Sequence, residues 1–230
     1  MPEAPAPPRP RRTGRGLAFG AAAAACGVFV LALGYLIPPA EAVVSTDRLG
    51  PDQGEPVTEY LDRARETLTG PDDGDRWALV SFTEYRPAAV LRERVGGIRV
   101  GQALYQVPLP RVATPLIAVQ TPDSDTALRR SGTDAAWQLA DRRRYVTAER
   151  TARILDVAIA RLRDDRACSP GVVVRAPLSR LRELAGRPGI RAVQALPADA
   201  VAGRFAVEPL LPDSSDPVGP RPDDGPIPPA

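Results

Sequence analysis

The chain has 230 residues, 43% of them hydrophobic, with 30 basic and 28 acidic side chains and a net charge of +2. Every basic residue is an arginine; the sequence holds no Lys, no His and no Asn. That removes imidazole from any Ser-His-Asp or Cys-His arrangement and any metal-ligand set and removes lysine Schiff-base chemistry, while the small net charge leaves no strong field for nucleic acid.

From the N-terminus, residues 1–16 are rich in Pro and Arg and predict a disordered cytoplasmic tail. Leu17–Ile37 carries no charge. About 20 apolar residues in a helix cross a hydrocarbon core, so residues 17–37 predict a transmembrane helix. Arg9, Arg11, Arg12 and Arg15 precede it and Pro38-Pro39-Ala40-Glu41 follows, which places the N-terminus in the cytoplasm and the remainder outside. The expected location is the plasma membrane, single-pass. Three other readings attach to this segment: a cleavable signal ending at Ala40-Glu41-Ala42, a lipoprotein site at Cys26, and a twin-arginine signal at Arg11-Arg12. The apolar run is longer than a usual signal core and continues past Cys26, which favours an uncleaved anchor.

Residues 38–55 predict a stalk, and residues 56–211 an extracytoplasmic α+β domain. A helix opens at Pro56 and stops at Gly70-Pro71. Asp72-Asp73-Gly74-Asp75 follows as a turn. Its carboxylates lack the twelve-residue loop and closing Glu of an EF-hand, so no metal is assigned.

An internal repeat dominates the domain. Leu91-Arg92-Glu93 through Gly96-Gly97-Ile98-Arg99-Val100 and Ala103-Leu104 matches Leu181-Arg182-Glu183 through Gly189-Ile190-Arg191-Ala192 and Ala195-Leu196. Pro87 and Pro177 precede the first leucines by the same spacing, and each follows a β-rich run, Trp77–Phe82 and Val172–Val174. Each unit (77–107 and 171–197) reads strand, proline-opened helix, glycine stop, strand. Two such units predict a ferredoxin-like βαββαβ sandwich, one antiparallel sheet with two helices on one face. A further strand is expected within Ala113–Gln120.

Between the units, residues 123–166 predict a helical insertion of three helices. The first covers Asp123–Ser131, the second is capped by Thr133, and the third is capped by Thr147. Asp141-Arg142-Arg143-Arg144 and Glu149-Arg150 lie on the polar side and read as a solvated face with local ion pairs, or as a surface for an acidic partner or lipid phosphate. Cys168 reads as a buried small hydrophobe or a thiol for an intermolecular bridge. A terminal strand is expected at Arg204–Val207. Residues 212–230, rich in Pro, Asp, Gly and Ser, predict a disordered tail.

The stretch Val172–Pro177 through Leu181, Leu184 and Pro188-Gly189-Ile190-Arg191-Ala192-Val193 resembles the second half of subtilisin-propeptide-like inhibitors. The match covers about 25 residues, and no protease domain follows. The resemblance implies a βαβ half of ferredoxin-like type and an inhibitor role. The overall layout resembles actinobacterial single-pass envelope proteins, a resemblance that implies no activity.

With no spaced acidic pair standing out, the chain is expected not to be an enzyme. No catalytic, cofactor-binding or metal-binding residue is assigned, and neither nucleic acid nor a small molecule is expected as a ligand. The expected function is a membrane-anchored, non-catalytic interaction module of the cell envelope. Its partners would be the membrane through residues 17–37 and an envelope protein or a second copy. The alternative is a protease-inhibitor or propeptide-like module acting on an envelope peptidase.

Overall fold

The β-branched and aromatic runs that open the two repeat units become neighbouring strands. A computed structural model describes residues 47–229 and gives a mixed α+β fold with a five-stranded antiparallel sheet and five α-helices. The expected cytoplasmic tail 1–16, the expected span 17–37 and the first part of the expected stalk lie outside the described residues. No helix among the described residues is long and apolar enough to cross a membrane.

In chain order the elements are β1 (Arg48–Leu49), α1 (Val57–Glu66), β2 (Asp75–Arg86), a 3-10 turn Ala88–Val90 leading into α2 (Leu91–Arg94), β3 (Arg99–Tyr105), β4 (Ile117–Gln120), α3 (Asp125–Arg143), α4 (Glu149–Arg163), β5 (Ser169–Pro177), α5 (Leu178–Ala185), β6 (Ile190–Ala195) and β7 (Ala206–Val207). The main sheet runs β4-β3-β5-β2-β6. The two repeat units interleave: β2 from the first is bracketed by β5 and β6 from the second, and β5 sits between β2 and β3.

Alternation along each strand sorts side chains to two faces. Ala78, Val80 and Phe82 of β2, with Val172, Val174 and Ala176 of β5, join one apolar cluster with Leu91, Leu178, Leu181, Leu128, Leu139, Leu155 and Leu162 from the helices. Leu79, Leu104 and Val173 face the other way. They pack with Leu49 and Leu196, and Trp77, Phe205 and Val207 border them. The helices thus line one face, and β1, β7 and neighbouring loop residues cover the other, a second layer that the repeat does not predict.

The twin helices differ in length. α5 runs eight residues, whereas α2 is a single α-turn after its 3-10 start. Gly96 and Gly97 follow α2 with φ of +65° and +74°, a left-handed region that glycine enters without a Cβ clash, and they end it early.

Four expectations need correction. The insertion holds two long helices, not three: α3 runs unbroken through Ser131-Gly132-Thr133, with Ser124 as its N-cap accepting from Ala127 N. Ser131 Oγ donates to Leu128 O at 2.6 Å, so the residue that invites a turn satisfies itself inside the helix. α4 begins at Glu149 with no side-chain cap, so Thr147 does not cap it. Residues 48–55 are not stalk. β1 pairs in parallel with β7, the strand expected near Arg204–Val207, Leu49 is fully buried, and Gly50 N donates to Gln194 Oε1 at 2.7 Å. Finally, residues 212–229 are an irregular strap laid on the domain rather than a free tail. Val218 N donates to Glu55 O and Val57 N to Asp216 Oδ1, while Tyr85 and Arg221 both bond Asp213.

Candidate functional site

The acidic turn 72–75 spends each carboxylate separately. Asp73 accepts from Ser179 N at 2.7 Å and Ser179 Oγ at 2.9 Å, at the start of α5. Those bonds hold its carboxyl below the usual carboxylate range. Asp72 pairs with Arg76 at 2.8 Å, and Asp75 lies 3.8 Å from Arg175. Among the described residues no three metal-ligating side chains converge.

The arginine run at the α3–α4 turn is likewise divided. Arg143 reaches across to Asp156 of α4 at 3.0 Å, and Arg144 stays near Asp141 at 3.6 Å. Arg150 turns to the C-terminal strap, which no local pattern in the sequence signals. Outside these pairs, Trp137 and Tyr145 stand 62% and 80% exposed, and the Arg163 guanidinium lies over the Trp137 ring.

Two buried features were candidates for chemistry. Cys168 is buried at the start of β5, and burial pushes its thiol up to about 12, so it remains protonated and shielded. Tyr60 and Ser81 lie fully buried, and among the described residues their hydroxyls have no partner at good hydrogen-bond geometry. Burial raises the Tyr60 phenol above its ordinary range, with Arg63 opposing. A phenol held neutral in this way is a poor general base. Beside it, Glu55 accepts two hydrogen bonds from Arg63 at 2.9 and 2.7 Å. The bond to Arg63 lowers its carboxyl.

A cleft of about 440 Å³ lies between the strap and the segment joining β3 to β4, lined by Gln106, Arg111, Leu116, Leu211, Asp213 and Arg221 among others. Its charged groups already have partners: Arg221 bonds Asp213 at 2.7 Å, and Arg111 bonds Asp224. Among the described residues no unpaired charged group lines it.

The two sheet edges differ. Among the described residues β6 pairs only with β2, but α1 lies along it: Tyr60 and Ala64 pack with Ala192, and Ala195 N donates to Thr67 Oγ1 at 2.8 Å. β4 pairs only with β3, and among the described residues nothing else bonds the backbone of Ile117–Gln120. Ile117 and Val119 point inward; Ala118 and Gln120 are exposed.

The class defined is thus a mixed α+β domain with one closed and one open sheet edge. No family model, no curated protein and no solved structure matches the chain.

Proposed function

We propose that this chain is a membrane-anchored, non-catalytic interaction module of the cell envelope. In this reading a ferredoxin-like βαββαβ domain, with β4 added at one edge and α3–α4 inserted between its halves, is carried outside the plasma membrane by residues 17–37. The strand order supports the fold name, since β6-β2-β5-β3 is the arrangement two split βαβ units produce.

The open edge of β4 is the observation that carries the functional reading. An unpaired strand presents N–H and C=O groups at the spacing an incoming strand needs, and proteins usually cover or charge such edges. Here the edge is uncharged and its backbone has no second partner strand among the described residues, while the opposite edge hydrogen-bonds to the end of a helix. The occupant is a strand from an envelope protein or a second copy.

A photo-crosslinking residue placed at Ala118 or Gln120 in the full chain, in membranes, tests this. The expected outcome is one dominant adduct, absent when the probe sits at Arg180 on α5. No adduct at β4 above that control would end the reading. A peptidase as the adduct would favour the inhibitor alternative. A reporter fused after Ala230 that is active only in the cytoplasm would overturn the orientation.

A further inference from the structure

Three consecutive residues of the strap, Asp223-Asp224-Gly225, are held in the manner of a bound peptide. Arg150 donates to Asp223 O at 3.0 Å, to Asp223 Oδ1 at 3.1 Å and to Gly225 O at 3.1 Å, so it contacts main chain and side chain together. Ala113 N donates to Asp223 Oδ1 at 3.2 Å. Arg111 pairs with Asp224, and Arg111 O accepts from Gly225 N at 2.7 Å. A Cβ on Gly225 would stand 2.4 Å from Pro110 O and 2.8 Å from Arg111 O, so the notch admits only glycine there. Two residues on, Ile227 packs against the main apolar cluster.

The receiving surface is built without the strap. Gln106 Nε2 donates to Thr114 O at 2.9 Å, Thr114 Oγ1 to Val107 O at 2.7 Å, and Arg161 to Pro108 O at 3.0 Å. Val107, Leu109 and Val112 anchor the same loop in the core. Arg111 itself holds φ of +55°, a left-handed conformation that is uncommon for a non-glycine residue. A surface held in shape by its own bonds loses little order on binding, which favours affinity.

We propose that the notch formed by Pro110–Ala113 and Arg150 is a peptide-recognition site for extended acidic segments of the form Asp-Asp-Gly-Pro followed by a branched aliphatic residue. The chain's own residues 223–227 occupy it in cis, and a partner presenting the same chemistry displaces them. This site is separate from the β4 edge and stands or falls independently of it. Two aspartates meet two arginines, and the glycine requirement sets the register, so charge and shape both select the ligand.

A tethered ligand acts at an effective concentration of order millimolar, so the cis segment suppresses binding of a free peptide. The test uses a fluorescent synthetic peptide spanning residues 221–230 and the full chain in detergent. Substituting Asp223→Ala, Asp224→Ala and Gly225→Val together releases the strap. Anisotropy should then report binding at least about 10-fold tighter than to the unaltered chain. Adding Arg150→Ala should abolish it, and a peptide with Gly225→Val should not bind. A cooperative melt checks that the released chain is folded. Should the triple variant fail to fold, Asp224→Asn alone weakens the latch and should give intermediate binding. A folded, released chain that ignores the peptide, or an unaltered chain that binds it equally well, overturns the proposal.

Discussion

Leu91 and Leu181 are the same position of the two repeat units, and both are wholly excluded from solvent in one shared apolar cluster. Each follows a proline by the same spacing, and each faces the sheet from the first turns of its helix. Leu91→Asp and Leu181→Asp would each bury an unpaired carboxylate, at a cost of more than about 3 kcal/mol. Thermal melts of the full chain should show both variants strongly destabilised. Unchanged midpoints for the pair would mean the twin helices do not pack on the sheet.

The Tyr105 hydroxyl lies 2.5 Å from Ser131 Oγ in the core, and Ser131 Oγ donates a hydrogen bond to Leu128 O. The two ends of this contact should respond unequally. Tyr105→Phe removes one hydrogen bond and leaves Ser131 partnered, costing about 0.5–1.5 kcal/mol. Ser131→Ala strands a buried hydroxyl and should cost about 1–3 kcal/mol. Urea denaturation midpoints in that order support the network; the reverse order would refute it.

Glu55 is only 12% exposed and is bonded to Arg63. Its carboxyl is held below its ordinary value, first by the Arg63 hydrogen bond. A depressed folded-state pKa adds stability above the unfolded value of about 4.3, and that stability is lost as pH falls through the folded value. Glu55→Gln should therefore lower the melting temperature at pH 7, and the gap from the parent chain should close below about pH 4. A gap independent of pH would remove the ion pair as its cause.

Cys168 should resist alkylation in the folded chain at pH 8, because its thiol is both buried and pushed up to about 12. Peptide-resolved mass spectrometry after maleimide treatment should find it modified only once denaturant is added. Rapid labelling of the native chain would place the thiol at the surface and return the intermolecular bridge to consideration.

The sequence disclosed what depends on neighbours in the chain. Leu91 and Leu181, with the prolines before and glycines after them, mark two like units, and the β-rich runs Trp77–Phe82 and Val172–Val174 mark their strands. Misreadings arose where distant residues decide. Ser131-Gly132-Thr133 carries turn-forming chemistry, but Tyr105 and Leu128 absorb the serine hydroxyl and the helix continues. The composition of residues 212–229 is that of a disordered segment, yet Asp213, Asp223 and Asp224 each meet an arginine. Pairs such as Arg111–Asp224 and Arg150–Asp223, 113 and 73 residues apart, leave no local periodicity. The β1–β7 pairing was hidden for the same reason, since two-residue strands carry no pattern of their own. The notch at Arg111 and Arg150 is equally invisible, although Arg150 belongs to an arginine-rich stretch plain in the sequence.

The interleaving of the sheet bears on how the molecule is made. A ribosome delivers β2 early, but both of its hydrogen-bonding neighbours, β5 and β6, belong to the last third of the chain. Until they emerge, the hydrophobic run Ala78–Phe82 has no strand beside it. Contacts so remote in sequence slow folding and prolong exposure of sticky intermediates. A nascent chain halted before Ser169 should therefore bind holding chaperones, and maturation should begin only when the second half arrives.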